Sequence, residues 1–226
     1  MVAVTFRVSI KAPFQPQKTT ESVLKGIQSG FSFIRKRGSL WQLTVLGFVS
    51  TFCGIPLLTL LPVVAKNTFH FDAKGYSYLL SISGTGSIFG ALIYAGLTQR
   101  KNHGLLALRV QLMFAVLLGT FAVSRFLPLS YVCLFLGGMC LITLFASITS
   151  LVQLTVIEEM RGRVMSLYTV TLIGLPSLGA LGTGAVSEWL GGVQGAPRAV
   201  LLSAVVLGII LVLVIPFFWK RNFPEN

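Results

Sequence analysis

Residues 128–154 read PLSYVCLFLGGMCLITLFASITSLVQL, and this stretch decides the fold class. It contains no Asp, Glu, Lys, Arg or His and exceeds the roughly 20 apolar residues that carry a helix across about 30 Å of hydrocarbon. Working outward, five more runs of spanning length lie at 42–65, 76–98, 105–124, 164–190 and 199–219. None shows the sustained period-two alternation of a membrane barrel. The expected fold is an all-α membrane protein, a six-transmembrane-helix bundle with short connections that pair neighbouring spans as antiparallel hairpins. Residues 1–41 are expected as a basic leader, 42–219 as the bundle and 220–226 as a tail.

Composition agrees. Of 226 residues, 54% are hydrophobic and 11% charged, with a mean hydropathy of +0.83, whereas a soluble chain carries about 25% charged residues. The net charge of +12 would suggest nucleic acid in a soluble protein, but basic residues also collect in the cytoplasmic loops of membrane proteins. No nucleic-acid partner is expected, because no basic stripe interleaved with aromatics lies outside the spans. Cys53, Cys133 and Cys140 sit inside apolar runs as small hydrophobes. With His70 and His103 they form no ligand pattern, so neither metal nor cofactor is expected.

Charge counting gives a direction. Arg7, Lys11, Lys18, Lys25, Arg35, Lys36 and Arg37 precede the first span, and Arg100, Lys101, Arg161, Arg163, Lys220 and Arg221 fall on the same side. These thirteen oppose four: Lys66, Lys74, Arg125 and Arg198. Both termini are therefore expected in the cytoplasm, with Arg109 snorkelling from one turn inside the third span. The leader is not a signal peptide, since it lacks a long apolar core and Pro13 and Pro16 interrupt it. From Thr20 to Arg37, Val23, Ile27, Phe31 and Ile34 share an arc of about 80°, which reads as an amphipathic helix on the inner leaflet. The alternative is a flexible basic leader.

Glycines and hydroxyls carry the remaining local signals. Gly84, Gly86 and Gly90 in the second span, with Gly174, Gly179, Gly182 and Pro176 in the fifth, predict close helix contact, because small residues let backbones approach in lipid. These two spans are expected as the inner ones. The sixth span is almost wholly aliphatic and should face lipid. The first and fourth carry hydroxyls, of which Thr51, Thr59, Thr143, Ser147 and Ser150 are candidates to line a cavity, or else to bond their own backbone carbonyls. Glu188 and Arg198 flank the last short loop within pairing reach. No Asp, Glu, Lys, Arg or His lies near the middle of a span, so no coupling acid is expected among these spans.

The sequence VIEEMRGRVMSLY at 156–168, followed by GLPSLGALG at 174–182, resembles the major facilitator superfamily, in particular the drug and siderophore efflux branch of enterobactin-exporter-like and macrolide-efflux-like proteins. The resemblance implies that 156–163 is the cytoplasmic loop between the tenth and eleventh helices of a twelve-helix transporter. The six spans would then be its C-terminal six-helix half, with the first and fourth lining the central cavity. Ile157 stands where the family often has Pro. The other loop motif, GLTQRKNHG at 96–104, has Gln99 in the usual acidic position.

Glu158, Glu159, Arg161 and Arg163 are candidates for charge pairs that open and close a gate, with Gly162 allowing a close turn against a neighbour. The plain alternative is a solvated polar loop. The function implied is a secondary active transporter in the plasma (inner) membrane exporting small amphipathic organic solutes. Its partners would be the lipid bilayer and a separate N-terminal half or a second copy. The alternative is a nontransporting truncated fragment or accessory membrane subunit. No nucleophile with an adjacent base and no phosphate-cradling loop is present, so an enzyme is not expected.

Overall fold

The computed structural model describes residues 23–36, 38–54, 56–97 and 103–222. Among them eight α-helices follow one another: α1 (Val23–Lys36), α2 (Gly38–Gly54), α3 (Pro56–Thr68), α4 (Ala73–Leu97), α5 (His103–Val123), α6 (Leu127–Thr155), α7 (Glu158–Trp189) and α8 (Ala196–Asn222). Among the described residues there is no strand. Five helical stretches are long and apolar enough to cross a membrane: Thr44–Thr68, Ala73–Gly96, Leu106–Val123, Leu127–Thr155 and Met160–Trp189. The sixth expected span lies in α8, whose stretch Ala196–Val212 is also apolar. The chain is an all-α membrane bundle. Helix is the form hydrocarbon permits, since it bonds every backbone group within the segment.

Short, specific turns join the helices. Asp72 accepts the backbone N–H groups of Lys74 and Gly75, each at 3.1 Å, and so caps α4. Pro128 lies in the first turn of α6, where a missing N–H costs nothing. Between α7 and α8, Gly191 (φ 119°) and Gly192 (φ 64°) take backbone conformations that side chains disfavour. The Ser187 hydroxyl closes this turn on the Gly192 carbonyl at 3.1 Å. Glu188 and Arg198, on its two sides, are exposed and form no ion pair among the described residues.

The helices form an arc in which α4 packs on α6, α6 on α5, α5 on α8 and α8 on α7. The α2–α3 span sits inside it and touches all five. Its Leu61, with Leu134, Leu144 and Ile148 of α6, is almost fully buried. The spans expected as inner, α4 and α7, are instead the least buried, and α2–α3 and α6 form the centre.

The glycines explain why. Gly86 and Gly90 of α4 press against the Phe135 and Met139 carbonyls of α6, and Gly138 of α6 presses against the Ser83 carbonyl. Gly84 faces open space, and a methyl group added at Gly174 would meet only its own helix and one added at Gly182 would lie 4.0 Å from the Phe52 ring. Gly179 is buried, and Pro176 is half-buried inside an uninterrupted α7. Thus α4 is seated by one stripe, Leu79, Ser83, Gly86, Gly90 and Tyr94, and its other faces are open. Equilibrium unfolding in mixed micelles should show Gly86→Val destabilised by about 3 kcal/mol or more through overpacking. Gly84→Ala should stay within about 0.5 kcal/mol of the parent.

Candidate functional site

The arc opens between α4 and α7, which share almost no contact, and the exposed side of the α2–α3 span lies there. Exposed on it are Phe48 and Phe52 of α2 and Thr59 of α3. The spacing of four residues keeps the two rings on one face of α2. The Phe48 and Phe52 rings stack nearly parallel, with centroids 6.0 Å apart and planes 5° apart. The flanking helices are mixed: α4 exposes Ser77, Ser81 and Thr85 together with Ile88 and Leu92, and α7 exposes Thr169 and Ser177 together with Leu178 and Leu181. On the opposite side α5 and α8 expose Leu112, Met113, Val116, Leu202, Val205 and Ile209. The α5–α8 side is mainly aliphatic, with Thr120 among it, whereas the open side combines stacked aromatic rings and hydroxyls with aliphatic side chains.

Three of the five hydroxyls expected to line a cavity do not reach that open side. Thr51 is fully buried and donates to the Gly47 and Phe48 carbonyls at 2.8 and 3.0 Å. Ser147, also fully buried, donates to the Thr143 carbonyl at 2.7 Å. Thr143 donates to Met139 of its own helix at 2.8 Å and across the interface to the Gly90 carbonyl at 3.2 Å. In hydrocarbon a hydroxyl's nearest acceptor is its own helix, and these three stand on helix faces turned into the bundle. Thr59 is exposed and Ser150 half-buried. Inside the bundle, the space among Gly54, Leu57, Ser83, Phe114 and Leu134 is about 20 Å³. That holds a water and no organic solute.

The segment expected as a charged loop is the start of a helix. Only Val156 and Ile157 separate α6 from α7, so Glu158, Glu159, Arg161, Gly162 and Arg163 occupy the first two turns of α7. Two acidic residues at a helix N-terminus complement its dipole, which favours helix from this point. The side chains of Glu158 and Glu159 lie outside the described residues, and with them the expected charge pairs. Gly162 is exposed, and a methyl group in place of its α-hydrogen would meet nothing within 4 Å, so the expected close turn does not occur. Arg163 donates from Nη1 to the Ser29 hydroxyl of α1 at 3.3 Å.

Ile157 adopts φ −66°, ψ 148°, and Val156 before it φ −85°, ψ 130°. These are the values a proline and the residue preceding it require. The backbone at this position would accept a proline without rearrangement. Ile157→Pro should fold normally and gain up to about 1 kcal/mol in unfolding experiments.

Sequence reading passed over Gln111. It lies in α5, is fully buried, and neither amide atom has a hydrogen-bond partner among the described residues. Its signal was available as the one amide inside the third span. An unsatisfied buried amide costs about 1–3 kcal/mol, so the near-isosteric Gln111→Met should raise the melting temperature in detergent. A fall of several degrees would show that the amide has a partner after all.

A family model described as transmembrane secretion effector matches residues 2–222. The chain belongs to this family, of the major facilitator type. It is accordingly a transporter-type membrane protein, a class that as a rule is not enzymatic. No curated protein and no solved structure gives a significant match to the chain.

Proposed function

We propose that the chain is the C-terminal six-helix half of a major facilitator efflux transporter, of the drug and siderophore branch resembling enterobactin and macrolide exporters. It resides in the plasma (inner) membrane with both termini cytoplasmic. The observation that carries this reading is the open face of the α2–α3 span, where Phe48 and Phe52 stack and Thr59 is exposed. Residues facing lipid gain nothing from hydroxyls or close-set glycines, so the aliphatic face of α5 and α8 suits acyl chains. The face of α2–α3, α4 and α7 suits a second bundle and a shared solute path. Alternating access needs two such bundles around one site, and the second is a separate N-terminal half or another copy of this chain.

In this reading Phe48, Phe52 and Thr59 meet the solute, with Ser150 deeper. An apolar surface with a few hydroxyls and no mid-span charge fits amphipathic organic solutes rather than sugars or small anions. The coupling acid of a proton-driven cycle would then belong to the second bundle. Residues 1–41 act as the cytoplasmic basic leader with its interfacial helix, 42–219 as the bundle and 220–226 as the tail.

The test is accumulation of an amphipathic compound panel in an efflux-deficient host, with the chain expressed alone and with a candidate N-terminal half. Lowered accumulation is expected in at least one arm, and Phe48→Ala with Phe52→Ala should reverse it for part of the panel. Unchanged accumulation in both arms, with the chain present in the membrane, would identify a nontransporting fragment or accessory subunit. Reporter fusions should place both termini in the cytoplasm.

A further inference from the structure

The amphipathic helix has two faces, and neither is quite the one its apolar periodicity suggests. Ile34, expected in the bilayer, is 3% exposed and packed inside the protein, whereas Phe31 is 49% exposed. The inward face is Ser29, Gly30, Phe33 and Ile34. Gly30 brings α1 onto α7 so closely that an added methyl would lie 2.8 Å from Leu167 Cδ1 and 3.3 Å from the Arg163 carbonyl. The Ser29 hydroxyl accepts from the Arg163 guanidinium at the same place. The helix is clamped to the first turns of α7 rather than floating on a leaflet.

The outward face is built differently. Arg35 and Lys36, both exposed, form the last turn of α1. The Phe31 ring meets the Trp41 ring of α2 edge to face, with centroids 5.8 Å apart and planes at 90°. An aromatic pair of this kind settles at the depth of lipid headgroups. The two cations beside it add charge complementarity to a phosphate there.

We propose that this corner, Phe31, Arg35, Lys36 and Trp41, docks the headgroup of an anionic phospholipid, and that α1 passes its occupancy to α7 through the Gly30 and Arg163 contact. The proposal rests on the reading that puts α1 at the inner-leaflet surface. Headgroup binding fixes the outward face of a rigid helix whose inward face holds Arg163 and Leu167. Lipid charge therefore biases the position of the end of α7 that carries the family motif.

The test uses the full chain in nanodiscs, with Trp189→Phe and Trp219→Phe leaving Trp41 as the reporter. Energy transfer from Trp41 to dansyl-labelled phosphatidylglycerol should be saturated at about tenfold lower lipid fraction than for labelled phosphatidylcholine. Arg35→Gln with Lys36→Gln should abolish that selectivity. The end of α7 is read by labelling Ser166→Cys with a water-soluble maleimide. The rate should differ about twofold between phosphatidylglycerol and phosphatidylcholine discs. Gly30→Leu should keep the lipid selectivity and lose the rate difference.

Selectivity that survives charge removal would overturn the site and leave only a diffuse basic surface. Inorganic phosphate reproducing the effect in phosphatidylcholine discs would assign the corner to a soluble anion and overturn the lipid. Equal labelling rates in the parent would overturn the coupling. Because both leaflets of a nanodisc are alike and no solute moves, these outcomes do not depend on sidedness or transport, which the host assays test separately.

Discussion

The seating of α4 on α6 rests on three missing side chains. In hydrocarbon, two leucines gain little from meeting that an acyl chain does not already supply, so helices associate where backbones can approach. Gly86 and Gly90 admit the Phe135 and Met139 carbonyls, and Gly138 admits that of Ser83. The same gaps uncover glycine carbonyls as acceptors. Thr143 bonds to the Gly90 carbonyl at 3.2 Å, and Ser87 to the Gly138 carbonyl at 3.3 Å. Two hydrogen bonds of about 0.6 kcal/mol each thus reinforce the contact that the glycines create. Phe89 and Phe135 lie beside it with ring centroids 5.6 Å apart.

The rest of the architecture follows from how narrow that contact is. A helix held along one stripe leaves its remaining faces unburied, and α4 and α7 are both in that position. Between them the aromatic and hydroxylic side of α2–α3 stays open. At the basic end, α1 packs across the start of α7 with Gly30 in the role that Gly86 plays deeper in the bundle. The motif residues from Glu158 to Arg163 consequently belong to a helix end gripped by a second helix, rather than to a free loop.

Much of the fold was legible because transfer into hydrocarbon is nearly a linear property of sequence. The apolar runs locate the helices to within a few residues, except at 158–163. There the charges mark where the oil ends, while the helix itself continues into the interface. Rotation of a helix about its axis is less legible. Gly84 and Gly86 differ by about 200° around α4, so one faces α6 and the other faces nothing, and only the position of Phe135 decides which. Thr51 and Thr59 divide in the same way, the first turned into the bundle and the second outward. Gln111 was visible as a lone amide, but its lack of a partner depends on which side chains of other helices surround it. The clamp between Ser29 and Arg163 joins residues 134 positions apart, which no local pattern announces.

The glycine contact can be examined directly in native membranes. With the buried Cys53, Cys133 and Cys140 replaced by alanine, a Phe89→Cys, Phe135→Cys pair should oxidise readily to an intramolecular disulfide. An Ile88→Cys, Phe135→Cys pair should not, since Ile88 stands about 200° round α4 from Gly86, the position that meets Phe135. Efficient closure of the first pair alone is the outcome that this register of α4 on α6 requires. Closure of the second pair, or of neither, would contradict it.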